Sequence, residues 1–343
     1  MIRRPGLIAV LGVLTVLVMF MGAVVLYGHF GVSLEANPAL EVEIRSGETL
    51  GQVARRMSRE GILRHPRLLT LLAVLRGESA QIKAGEYVFQ GRISPSALLD
   101  DWVSGNARFI SLTIPEGFSL AEIAARLEAK ELGDGKTFLD LAQDPEFIAG
   151  LGLSFKPVPR TLEGLIYPET YYFHRGLKER DLIQTMVKEF REKAEGELVA
   201  GAGKVGLTPY ETLVMASIIE KETGAGSERE LISAVFHNRL AARMRLASDP
   251  TVIYGLPDFD GNLTRVHLRT KTPYNTYKIT GLTPTPIASP GLASIRAALA
   301  PAAVDYLFFV SKGDGTHYFS RDYNSHRRAV WKYQIRPHRK RNS

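Results

Sequence analysis

The 343-residue chain contains no cysteine. That excludes disulfides, thiolate metal ligands and thiol nucleophiles together, and leaves the compartment open. It also has no GxSxG, no Walker loop and no HExxH, so the nucleophile elbow, the phosphate loop and the zinc-protease helix are excluded. Gly133-x-Gly135 and Gly150-x-Gly152 lack the third glycine and following helix of a dinucleotide fingerprint. The eight histidines never fall at metal-ligand spacing, so neither a metal nor a cofactor is expected. A general excess of one charge sign is missing too. The net charge of +7 comes from residues 321–343, which hold eight Lys or Arg against one acid, Asp322. A balanced body argues against nucleic acid as a partner. What remains for chemistry is carboxylates, amides and tyrosines, an inventory suited to glycosides.

Residues 7–27 are uncharged and rich in Val, Leu, Met and Ala, long enough to span a bilayer core. Arg3 and Arg4 precede them, and no Lys or Arg follows until Arg45. The positive-inside rule then puts residues 1–6 in the cytoplasm and everything after residue 27 outside. A cleaved signal peptide is the competing reading, but the apolar run is longer than a typical signal core. Residues 28–42, with Asn37-Pro38, read as a linker.

An internal repeat follows at a constant offset of 70 residues: "IRSGETLGQVARRMSREGIL" from Ile44 and "IPEGFSLAEIAARLEAKELG" from Ile114. Each copy predicts a strand end, a tight turn at Gly, a Thr or Ser cap and an amphipathic helix. The phrase strand, G-x-[ST]-L, helix resembles LysM modules, which bind glycan chains. On that reading residues 43–150 form a LysM-like glycan-binding region; a generic βα unit with a capped helix is the other reading. The Gly/Pro-rich stretch around residues 150–159 marks a boundary, with a second domain over 151–334 and a basic tail, solvated or touching anionic polymer, over 335–343.

The second domain opens with "LEGLIYPETYYFHRG", where Glu163 and Glu169 lie among tyrosines. This suits either a sugar cleft or a strand packed into a core. An amphipathic helix is predicted from Asp181 to about Glu195, with Gly196 as its stop. Asp249-Pro250-Thr251 predicts a capped short helix. The proline-rich "TPYNTYKITGLTPTPIASPG" reads as a binding or lid loop. "YLFFVS" and "THYFS" around Gly313-Asp314-Gly315 predict a β-hairpin. The whole is an α+β chain: one transmembrane helix, a LysM-like βα module and a helix-rich mixed domain.

One stretch organises that domain. "TPYE" predicts a helix start, with Thr208 as cap, Pro209 at the first position and Glu211 closing a capping box. Leu213 to Ile219 is almost wholly apolar, so the helix is expected to be buried on most sides. Glu220 follows in its last turn, with Gly224 as a left-handed cap. Desolvation and the negative end of the helix dipole both disfavour its charged form, as a general acid requires. A solvated surface glutamate is the commoner occupant of such a position.

With "LEGLIYPETYYF", "ASIIEKET", "FHNRL", "SDPTVIYG", "YNTYKITGL" and "PIASPG" in order, the chain resembles the endolytic murein transglycosylase (YceG-like) family from the membrane anchor to the terminal helix, most densely from Leu162 to Ser325. The proline-rich loop departs from the family's usual wording at Thr285 and Ser289. The resemblance implies an inner-membrane-anchored, periplasmic lytic transglycosylase, a lyase that cuts peptidoglycan at the β-1,4 bond from N-acetylmuramic acid to N-acetylglucosamine. It implies that Glu220 is both acid and base, and that a peptidoglycan synthase, a penicillin-binding protein, is a partner. Glu163, Glu222, Asn238, Asp249, Tyr274, Asn275 and Tyr277 are candidates for orienting sugar, each with a structural role such as a helix cap or buried hydrogen bond as the alternative. A hydrolytic muramidase using Glu220 with Asp249 and a non-catalytic membrane-tethered glycan-binding scaffold are the rival functions.

Overall fold

The computed structural model describes residues 5–30, 34–257 and 259–336. Arg3, Arg4 and the tail from residue 337 lie outside the described residues. The chain divides into two units. The first takes the described residues through Ser111, with 130–133 and 172–178; the second takes 112–129, 134–171 and everything from Glu179.

In the first unit, α1 (Pro5–Phe30) is long and apolar enough to cross a membrane. β1 (Leu34–Ile44) pairs antiparallel with β2 (Gly85–Ile93). β1 thus begins inside the stretch read from sequence as linker. The register breaks between Ala36 and Leu40, so Pro38, which has no N–H to give, sits at an irregularity that a strand tolerates. α2 (Leu50–Arg59), α3 (Pro66–Leu75) and α4 (Pro95–Ser104) build the core with these strands. Trp102, Tyr87, Leu98, Leu50 and Met57 are fully buried in it.

β3 (Phe109–Thr113) pairs with β4 (Thr170–His174). Between them come α5 (Leu120–Ala129), α6 (Gly135–Leu141) and α7 (Pro145–Gly150). The sequence repeat is a structural repeat. Leu50, Val53, Ala54 and Met57 of α2 are buried, as are Leu120, Ile123, Ala124 and Leu127 of α5. Gly47 and Gly117 are both left-handed, with φ of 81° and 79°, a conformation that excludes most side chains. Gln52 reaches back to the Thr49 N–H, and Glu122 to the Ser119 N–H. The copies nevertheless fall in different units. Ile114 N–H bonds Glu169 O, and Gly117 N–H bonds Ser289 O at 2.8 Å, so residues 112–129 group with the second unit rather than with 43–111.

In the second unit, α8 (Glu179–Phe190) passes through a π-helical turn, 191–195, into α9 (Gly196–Gly201). Gly196 therefore does not stop the helix. Glycine costs only about 1 kcal/mol in a helix interior, and Ala194 and Leu198 on either side are fully buried. α10 (Pro209–Glu222), α11 (Arg229–Ala241), α12 (Asp249–Tyr254) and α13 (Leu292–Leu299) follow, then the hairpin of β5 (Phe308–Ser311) and β6 (His317–Ser320), and α14 (Tyr323–Val330). α10 opens as its sequence predicts. Thr208 Oγ1 accepts the Glu211 N–H, and Glu211 accepts the Thr208 N–H at 2.8 Å. Thr208→Ala should therefore cost about 1 kcal/mol of stability in denaturant unfolding, and Thr208→Ser much less; equal losses would show that the hydroxyl is not what caps the helix.

The other end of α10 differs from expectation. Thr223, extended at ψ 108°, is the cap. Its N–H and hydroxyl both bond Ile219 O, satisfying that carbonyl without a left-handed Gly224.

Candidate active site

α10 is buried from Thr212 through Ile219. A helix enclosed this way can hold its terminal side chains in fixed positions. Ser217, one of two polar residues in the run with Thr212, donates to Val214 O at 2.7 Å and accepts the Ile287 N–H at 3.0 Å. This second bond seats the proline-rich segment on the helix. One turn later the same segment returns: the Gly291 N–H donates to Glu220 Oε2 at 3.0 Å. Ser289 N–H bonds Phe118 O at 2.7 Å, and Lys221 Nζ bonds Gly117 O at 3.1 Å. Three elements distant in sequence are thereby tied together: the turn at 115–118 to the segment 286–291 by backbone bonds, and the end of α10 to both through the side chains of Glu220 and Lys221.

Glu220 sits where they meet, its side chain 9% exposed. Arg229 Nη2 of α11 stands 3.9 Å from Oε1. One oxygen of the Glu220 carboxyl is thus held by a backbone N–H and the other faces a guanidinium. Because Oε2 accepts the Gly291 N–H, a proton on this carboxyl belongs on Oε1.

Two residues here carried no functional expectation from the sequence. Glu116 is an exposed acid in the turn before α5. Desolvation raises its pKa first, and the neighbouring Glu220 raises it further, against the pull of Arg229. A Cβ placed on Gly291 would lie 1.8 Å from Glu116 Oε1, so glycine at 291 makes room for that carboxylate. The repeat held a signal for Glu116: the copies align Pro115-Glu116-Gly117 with Arg45-Ser46-Gly47, and an acid replaces a hydroxyl. Arg229 carried no such mark.

The remaining candidates fall into separate groups. Glu222 points away from Glu220 and accepts Ser248 Oγ at 2.6 Å; burial pushes its pKa up. With Asp249, Tyr277 and His317 it lines a cavity of about 510 Å³ whose lining does not include Glu220. Tyr277 donates its hydroxyl to Asp249 Oδ1 at 2.7 Å. Arg239, on the same cavity, donates to the carbonyls of Leu246 and Leu307. Asn238 on α11 donates to Val304 O and Tyr306 O at 2.8 and 2.9 Å. Asn275 is fully buried, with its amide against the carbonyls of His267, Leu268 and Thr270. Tyr274 meets Thr285 through its hydroxyl at 2.9 Å and Tyr254 edge-on at 4.8 Å. Glu163 is 2% exposed and accepts from Leu120 N–H at 3.1 Å and Tyr254 hydroxyl at 2.8 Å. Its pKa is pushed up to about 7, first by burial and then against the lowering effect of the two bonds.

The chain is similar to proteins with known names. The endolytic murein transglycosylase of Bacillus subtilis is 30% identical over 330 residues, 92% of this chain and 91% of the relative. The protein of that name from Streptococcus pneumoniae is 26% identical, covering 88% of this chain but 62% of its own length. The crystal structure of a YceG-like protein from Listeria monocytogenes superposes with a TM-score of 0.58 at 30% identity, over 85% of this chain and 99% of that one. The profile of the YceG-like family matches residues 42–332, and the chain belongs to that family.

Proposed function

We propose that the chain is an endolytic peptidoglycan lytic transglycosylase, a lyase that cuts the β-1,4 bond from N-acetylmuramic acid to N-acetylglucosamine within nascent glycan strands. The observation that carries this reading is the setting of Glu220: a recessed carboxyl at the end of a buried helix, with one oxygen held by a backbone N–H and the other left for chemistry. The names of the B. subtilis and S. pneumoniae relatives support it.

Protonated Glu220 gives its Oε1 proton to the glycosidic oxygen as the bond to C1 breaks. Positive charge develops at C1 and the ring oxygen. The carboxylate then takes the proton of the muramoyl 6-hydroxyl as O6 attacks C1. The product is a 1,6-anhydro end, no water is consumed, and Glu220 ends protonated as it began. One carboxyl serves as acid and base in turn. Glu163, Glu222, Asn238, Asp249, Tyr274, Asn275 and Tyr277 remain proposals for sugar contact, directly or through the loops they hold. α1 is assigned as a retained anchor in the cytoplasmic membrane with the second unit outside, the repeat region as a LysM-like glycan tether, and a peptidoglycan synthase as the partner that supplies nascent strands.

Digestion of purified sacculi by the full chain, read by mass spectrometry, tests the reaction. Anhydro ends weigh one water less than reducing ends. Reducing ends alone would make the protein a muramidase, and an undigested polymer would leave the scaffold reading.

A further inference from the structure

We propose, resting on that function, that Glu116 and Glu220 form a carboxyl pair holding the single proton of the reaction, with Glu116 the positioning residue that keeps this proton on Glu220. The two side chains meet at one residue. Gly291 gives its N–H to Glu220 Oε2, and Glu116 Oε1 occupies the space a Cβ of Gly291 would need. With ordinary bond lengths between these points, the two oxygens are at most about 8 Å apart.

The pair is built rather than incidental. The turn that presents Glu116 is fixed by three bonds, Gly117 N–H to Ser289 O, Ser289 N–H to Phe118 O and Lys221 Nζ to Gly117 O. The segment 286–291 lies against both acids and has no ionisable residue of its own. The charged and titratable groups facing Glu116 are Glu220 and Lys221 from α10, Arg229 from α11 and Tyr167 ahead of β4. Arg229 Nε is buried with no hydrogen-bond partner among the described residues, and its Nη2 stands 3.9 Å from Glu220 Oε1. Arg229 favours ionisation of both acids, but the like charges oppose each other, so once one carboxyl has lost its proton the other holds its own more tightly. Glu220 must be protonated at the start of each cycle, and it passes through the carboxylate during it. A neighbouring negative charge at Glu116 favours return of the proton to Glu220 after each step. Atoms and charge balance as before, because Glu116 exchanges nothing with substrate.

The test is the pH profile of kcat/KM for release of anhydro-ended products by the full chain in detergent. Removing the Glu116 charge lets Glu220 ionise at lower pH. Glu116→Gln should move the alkaline limb toward acid by about half to one pH unit, a loss of about three- to tenfold above the limb, for a charge at this distance in a partly screened site. Gly291→Ala should move the limb the same way while keeping Glu116, because the new methyl group displaces its carboxylate. Gly291 has φ −73°, which alanine adopts freely, so this variant carries the test if Glu116→Gln is insoluble. A merely structural role for Glu116 lowers the whole profile and leaves the limb in place, and that result overturns the proposal. A wild type that yields no anhydro ends overturns the function and the pair with it; anhydro ends with an unmoved limb overturn the pair alone.

Discussion

Glu220→Gln is expected to cut the release of anhydro-ended products by about 10²-fold or more, with the fold intact. The substitution keeps the volume and shape of the side chain. An amide oxygen can still accept the Gly291 N–H that fixes Oε2. It cannot supply a proton to the glycosidic oxygen or take one from the 6-hydroxyl, so both halves of the proposed cycle fail at one atom. The lost ion pair with Arg229 spans 3.9 Å, long for a hydrogen-bonded pair, so stability should change little. Product release by mass and unfolding by circular dichroism separate the two effects. Activity within a few-fold of wild type would sink the assignment of Glu220. A loss of activity matched by a loss of fold would make the residue structural.

The parts of this site that the sequence made legible are those written in short spacing. Thr208 and Glu211 are three residues apart, and both capping bonds are present. The 70-residue repeat predicts an amphipathic helix in each copy, and each has one buried face of four residues, because burial in a helix follows a period of 3.6 that the sequence displays. The hairpin at Gly313–Gly315 was visible in the same way. What was not legible depends on partners far along the chain. Gly291 and Glu220 are 71 residues apart, and Lys221 and Gly117 are 104 apart. No local pattern says that a turn ahead of α5 and a proline-rich segment will close on the same helix end, so Glu116 and Arg229 escaped notice. Gly196 and Gly224 failed in the other direction. Their local signals were genuine but weak, and burial around the first and the bonds of Thr223 to Ile219 O near the second outweighed them.

The same limit applies to Glu163, whose sequence context suited a sugar cleft as well as a core, and its burial leads to an expected result in stability rather than rate. Its pKa lies near 7 in the folded protein against an ordinary 4.5. The folded state therefore holds this proton more tightly than the unfolded chain does. Below about pH 4.5 both states are protonated and the group has no effect on stability. Between about 4.5 and 7 the unfolded state ionises first, and the folding free energy falls by about 1.4 kcal/mol per pH unit. Above about 7 the loss is complete, about 3 kcal/mol, because the folded protein then carries a desolvated carboxylate. Glu163→Gln removes that dependence. Its amide oxygen can accept the Leu120 N–H and the Tyr254 hydroxyl as the carboxylate does, so the variant should be more stable than wild type at pH 8 by up to about 3 kcal/mol, with the advantage shrinking toward zero near pH 4.5. Denaturant unfolding of both proteins across this range measures the difference directly. A constant difference at every pH would mean that Glu163 does not take up its proton on folding, and a variant less stable at pH 8 would mean that the charged carboxylate, held by its two donors, is the form the fold was built around.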